Sequence, residues 1–266
     1  MLVGCSTKFV YRNADWLIYW YVDDYISLTD EQEARFDEYL QLWLSWHKSE
    51  ELDKYITQLN HIKADIESGN ISVERLEQHQ TILRAHWHRV RDKIAPDLAD
   101  IAPMFNQVQL DNFFSKLAEY ESKSKQKRQK LSEKNQRKRW LNEHEDNLTR
   151  WIGDLNDKQE KLIVDLYDNQ LSTAQLRAEF RNSYQSQLKV LFTQASEEKQ
   201  LKTRLLKLLV EPESFKGAEL IRRDSYNGLL RRQFVVDVYQ SLTAKQLQHL
   251  NEELDELIEV LFSLKK

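Results

Sequence analysis

Little in this chain breaks a helix, and little in it binds metal or carries out nucleophilic chemistry. It has one cysteine, three prolines and five glycines in 266 residues. A single cysteine excludes an intramolecular disulfide framework and any multi-cysteine metal site. With so few breakers and charged residues at 31%, the composition argues for an all-α protein. No stretch alternates well enough to be read as a strand. A Gly-rich phosphate loop, a Gly-x-Ser-x-Gly elbow and a His-Glu-x-x-His pair are all missing. So is Glu-x-x-His, which leaves a di-iron bundle unsupported. The net charge is −4, so the whole molecule is not a nucleic-acid binder by charge. The expected catalytic, metal and cofactor complement is therefore none.

What is abundant is aromatic. Four of the seven tryptophans (Trp16, Trp20, Trp43, Trp46) and four of the eleven tyrosines fall between Asp15 and His47. From Trp16 to Val22 every residue is apolar or aromatic. Such a segment is either buried on all sides or placed at a membrane interface, and it is far too short to span a bilayer. Asp23-Asp24 stops the run. These two carboxylates are adjacent, so they diverge on a helix and form a poor acid/base pair without a distant partner. A capping box follows at Thr29-Asp30-Glu31-Gln32. Phe36, Tyr39, Leu40, Trp43 and Trp46 then repeat at helical spacing. A two-helix core hairpin explains these residues, and so does an aromatic contact surface.

The cysteine matters for its position. Leu2-Val3-Gly4-Cys5 is a lipobox pattern, in which Cys5 would carry the lipid. The charged and apolar regions of a signal peptide are absent upstream, which points to a trimmed chain or a start assigned too late. Lipid plus an aromatic segment supplies the two signals that durable anchoring needs. The expectation is a lipid anchor in a Gram-negative envelope, outer membrane rather than inner, with the chain facing the periplasm. An incidental cysteine in a frayed terminus is the plainer reading.

Further along, Ser49 is read as the cap of a helix ending at Gly69-Asn70. Ser72 starts the next, with Leu76, Ile82, Leu83, Trp87, Val90 and Ile94 on its apolar side and Pro96 at its end. In this reading His86 and His88 are surface imidazoles flanking a core Trp87. At i and i+2 they cannot share one ion unaided.

From Glu121 to Arg139 the apolar content collapses. The stretch holds nine Lys/Arg against Glu121 and Glu133, a local charge of +7 in a chain of −4. A solvated connector accounts for it. As a basic arm, with Lys127, Arg128, Lys130, Arg137, Lys138 and Arg139 as contacts, it suits anionic lipid, a polyanion or an acidic partner. Without interleaved aromatics, base stacking and hence nucleic acid are not expected. One helix is expected from Leu171 to about Val210, and Asn227-Gly228 is a candidate break. The pairs Arg222-Arg223 and Arg231-Arg232 read as a solvated face.

Four helices begin alike, at Leu28, Leu155, Leu171 and Leu242: a leucine, a capping Thr, Asn or Ser, and a glutamine at N3. Leu28-Thr29-x-x-Gln32 and Leu242-Thr243-x-x-Gln246 match fully, and their intervals are too irregular for a solenoid. The pattern resembles the LTxxQ motif of Spy/CpxP-type periplasmic chaperones, which hold clients on a cradle-shaped helical surface. A broader resemblance rests on Cys5, on Tyr11-Arg12-Asn13-Ala14-Asp15-Trp16-Leu17-Ile18-Tyr19-Trp20, and on Asp23-Asp24-Tyr25, Leu28 to Gln32 and Trp46-His47. Together these resemble an uncharacterised family of proteobacterial helical lipoproteins. That resemblance implies an envelope lipoprotein and no mechanism.

The combined expectation is an all-α, elongated multi-helix bundle with long antiparallel helices and a protruding basic segment. Residues 1–12 would be lipobox and tether, and 13–266 one helical domain, with a possible subdivision into 13–120 and 140–266 bridged by the basic helix 121–139. Its function would be non-enzymatic protein binding, chaperone-like or adaptor, using Trp16, Trp20, Trp43 and Trp46 and the basic arm. The alternatives are a structural scaffold, or an enzyme acting on cell wall or lipid through Asp23 or Asp24.

Overall fold

The structure is a computed structural model that describes residue 11, residues 13–194 and residues 198–265, with Arg128 described by its backbone alone. Cys5 and the lipobox lie outside the described residues. The fold is an all-α multi-helix bundle, with no strand among the described residues. In order the helices are α1 (Ala14–Asp23), α2 (Asp30–Trp46), α3 (Leu52–Ser68), α4 (Val73–Ile101), α5 (Gln107–Gln129) and α6 (Glu133–Ile152), then α7 (Asp157–Asn169), α8 (Ala174–Gln194), α9 (Glu198–Val210), α10 (Ala218–Gln240) and α11 (Ala244–Lys265). The main packing pairs are α4 with α9, α3 with α11, and α7 with α10.

The stops and starts follow local chemistry. Ser72 caps α4 by accepting the Arg75 amide. Gly69 ends α3 at φ 75°, where a glycine carries no Cβ penalty, and the next amide, of Asn70, returns to the Asp65 carbonyl at 2.8 Å. Gly153 ends α6 at φ 78°, and its own amide donates to the Thr149 carbonyl at 2.8 Å.

Five expectations are corrected. Ser49 caps nothing: its hydroxyl donates to the Trp46 carbonyl, and α2 joins α3 through a π-helical turn at His47–Glu51. Pro96 lies inside α4 rather than at its end. The helix survives because Ala99 and Ala102 lock its last turns against Leu191, Leu201 and Leu205. The basic stretch is not one helix, since α5 ends at Gln129 and α6 begins at Glu133 behind a Ser132 cap, making a helical hairpin. The stretch expected as one helix to Val210 comprises α8 and α9, separated at residues 195–197, which lie outside the described ones.

The fifth is Asn227-Gly228, which does not break α10. The buried Asn227 side chain accepts the Leu171 amide at 2.9 Å and donates to the Leu171 carbonyl at 2.8 Å. An asparagine inside a helix thus serves the loop between α7 and α8.

The largest apolar cluster unites Phe36, Tyr39, Leu40 and Trp43 of α2 with Ile101 of α4. Ile18, Tyr19 and Val22 of α1 pack onto it. Its polar atoms are paired: Trp43 Nε1 donates to Asp97 at 2.7 Å, and Tyr39 donates to Asp100 at 2.6 Å.

Candidate functional site

The capping motifs carry more than their helices. Thr29 and Gln32 form a complete capping box, as do Asn156 and Gln159. Thr243 with Gln246 and Asn106 with Gln109 show the same reciprocal bonds. The four glutamines are buried and meet in pairs. Gln32 and Gln109 donate to each other's Oε1 at 3.1 and 2.7 Å, and Gln159 and Gln246 do so at 3.0 and 2.8 Å. Each amide spends its other proton on the carbonyl just before the partner's motif: Met104, Ser27, Ser241 and Asp154 in turn. The fourth motif is thus Phe105-Asn106-Gln107-Val108-Gln109. The Leu171 start is different, since Gln175 is exposed and donates to Glu179.

Helix α1 is not buried on all sides. Trp16 is 61% exposed, Trp20 57% and Tyr21 60%. Together they form an outward ridge, while Ile18, Tyr19 and Val22 face the core. Trp43, expected on the contact surface, is 7% exposed and belongs to the core, where its indole is held by Asp97. Trp46 is half-buried, with the Lys93 ammonium 6.0 Å from its ring centre. Beneath α1 opens a cleft of about 230 Å³ lined by apolar side chains, among them Val22, Ile26, Phe36, Phe105, Phe113 and Leu209.

Helix α4 adds a second apolar surface and a correction. His86 is buried, and Trp87 is 61% exposed, beside Leu83 (52%) and Ile82 (41%). The side of α4 that faces the core carries His79, His86, Ala95 and Ala99.

A buried polar cluster forms around the π-turn, centred on Glu51 and Arg89, which no motif signalled. Glu51 has no exposed surface and takes a bidentate pair from Arg89 (2.9 Å) and a bond from Lys54 (2.7 Å). Burial alone would raise its carboxyl, but the bonds from Arg89 and Lys54 outweigh this and hold it at about 2. His47 bridges the Tyr11 and Tyr55 hydroxyls at 3.1 Å each, and Tyr55 meets His86 edge-on at 4.8 Å. Arg89 donates to His86 Nδ1, which leaves the proton on Nε2, an atom with no partner among the described residues. Burial pushes both imidazoles below their usual range. A parallel network ties α3 to α4: His79 donates to Asp65 at 2.6 Å and accepts from Gln58 at 2.7 Å. No group of three or more potential metal ligands occurs among the described residues.

The basic hairpin flanks a cleft of about 640 Å³ between α5 and α6. Lys127, Lys130, Lys138 and Arg139 are exposed. Arg139 donates to Glu143 at 2.7 Å. Arg137 reaches Asp168 at 3.3 Å and lies over the Tyr167 ring. Arg128 is described by its backbone only. No helix among the described residues is long and apolar enough to cross a membrane.

These features define a helical-bundle protein whose distinctive surfaces are aromatic and basic. The model of a family of unknown function (DUF6279) matches residues 24–220, and the chain belongs to that uncharacterised family. No curated protein and no solved structure matches it.

Proposed function

We propose that this protein is a non-enzymatic binding module of the bacterial envelope, chaperone-like or adaptor, tethered by a lipid on Cys5 and facing the periplasm. The observation that carries the reading is the α1 ridge. Trp16, Trp20 and Tyr21 stand out of the fold while the other side of the same short helix anchors in the main core. Exposed aromatic side chains grouped on one rigid element favour protein contact, since they bury large areas at low entropic cost. The lipobox pattern and the resemblance to proteobacterial lipoproteins support the location, and the two full LTxxQ motifs support a kinship of design with the Spy/CpxP-type chaperones.

A purified-component test separates the readings. Suppression of aggregation of a denatured substrate protein is measured for the parent and for W16S/W20S. The proposal expects the parent to hold the substrate in solution and the variant to lose most of that effect with its thermal transition unchanged. Equal activity in both would remove the ridge from the account. No suppression by either, with one partner isolated from the envelope, would favour the structural-scaffold reading.

A further inference from the structure

The basic hairpin carries an inference independent of the protein-binding reading, because it uses other residues. Along α5, Phe113, Tyr120 and Lys127 recur every seven residues and share one side of the helix. The stripe begins at the core, where Phe113 meets Tyr25 at 6.4 Å. It passes through Tyr120, 62% exposed, and ends among lysines. Across the cleft, α6 contributes Arg139 and Trp140. The cleft is therefore lined by the apolar side chains of Tyr120, Leu131 and Trp140 together with Lys123, Lys127 and Arg139, and with Glu143 as its one carboxylate.

The cations around this cleft differ in availability. Arg137 and Arg139 are engaged with Asp168 and Glu143, and Lys123 with Glu119. Lys125, Lys127, Lys130, Lys134 and Lys138 are exposed and make no salt bridge among the described residues. Among the described side chains of the hairpin the free charges are thus compact ammonium groups, not the forked guanidinium groups that grip a carboxylate in a fixed geometry. Lys127 lies beside the exposed Tyr120 ring and the half-buried Trp140 ring in the cleft lining, and flexible point charges next to such rings match a surface of phosphates over an apolar layer.

We propose that the α5–α6 hairpin docks on an anionic phospholipid bilayer. The free lysines meet lipid phosphates, and Tyr120, Leu131 and Trp140 take up the neighbouring acyl region.

The test is co-sedimentation of the full chain, carrying C5S so that no lipid is attached, with vesicles of phosphatidylcholine alone and of phosphatidylcholine mixed with phosphatidylglycerol, alongside binding to soluble polyphosphate. The variants are K127Q/K130Q/K138Q, on exposed positions, and L131Q, in the turn that closes the cleft. The proposal expects binding to the anionic vesicles only. The lysine variant should weaken it by roughly a hundredfold, at about fivefold per charge, and L131Q should weaken it with the charge kept. Equal partition onto neutral vesicles, or an unchanged lysine variant, would overturn it. Tight binding to polyphosphate with vesicles left unbound would also overturn it, and would make the hairpin a polyanion site.

Discussion

Gln32 and Gln109 form a closed amide pair, each donating to the other at 3.1 and 2.7 Å, and both are buried. Each side chain also holds its own helix start through its Oε1, at Thr29 and at Asn106. The repeated Gln-terminated motif is therefore a fastener between two helix N-termini 77 residues apart, and Gln159 with Gln246 repeats it at 87. A glutamine at N3 stabilises one helix; two facing each other stabilise a tertiary junction.

Replacing Gln32 by leucine is expected to cost about 2–4 kcal/mol, since it removes a cap bond and leaves one proton of the buried Gln109 amide and the Met104 carbonyl without their partner. The double variant Q32L/Q109L should cost less than the sum of the two single changes. Urea denaturation of the four species measures this coupling, and strict additivity would show that the pair does not act as a unit.

The Glu51–Arg89 pair predicts an asymmetric response. Glu51 is fully buried, so Arg89→Met leaves a buried carboxylate without its main partner and should destabilise by about 3–5 kcal/mol. Removing both charges together, as E51M/R89M, should restore part of the loss. Thermal unfolding of the two variants decides it.

Acid should weaken the fold in two stages. His47 and His86 titrate below their ordinary 6.5 because burial disfavours the imidazolium. The unfolded chain therefore takes up protons first as pH falls through 6.5, and stability declines from there downward. Glu51 and Asp100 are held at about 2 in the fold. For Asp100 the cause is hydrogen bonding from Tyr39 and Lys202. The stability they supply is complete above the ordinary carboxylate range and is lost as pH drops toward their folded values. Denaturation midpoints from about pH 7.5 to about pH 3.5 should fall throughout, with H47F showing a shallower slope near about pH 6. A midpoint that rose on acidification would contradict the assignment.

The aromatic positions divide sharply between core and surface. Trp43→Ala should destabilise by about 3–5 kcal/mol through an internal cavity and an unpaired Asp97. Trp20→Ala should change stability by no more than about 0.5 kcal/mol. Calorimetry of the two variants tests the division, and similar losses would contradict it.

How far the sequence was legible follows from what each signal encodes. Caps at Thr29, Asn156 and Ser72, and the stop at Gly69, are local and readable. Which glutamine faces which is a tertiary fact, and Phe105-Asn106-Gln107-Val108-Gln109 is hidden because phenylalanine stands where the other motifs carry leucine. The core side of α4 was misread for a physical reason. Apart from Ile101 at its end, its buried positions are histidines and alanines, so hydrophobic periodicity selects Ile82, Leu83 and Trp87, which the fold leaves exposed. The π-turn at His47–Glu51 adds a residue to the helical count and so hides Glu51 from any fixed period. The aromatic richness of α1 was plain; that Trp16 and Trp20 point outward and Trp43 inward required the packing.

The central claim is that the α1 ridge is a contact surface for other proteins. The most direct test is in-cell photo-crosslinking from position 20 and from position 43 of the full-length, lipidated chain, with adducts identified by mass spectrometry. The account predicts adducts with envelope proteins from position 20 and none from the buried position 43. Adducts from position 43 alone, or from neither position, would contradict it.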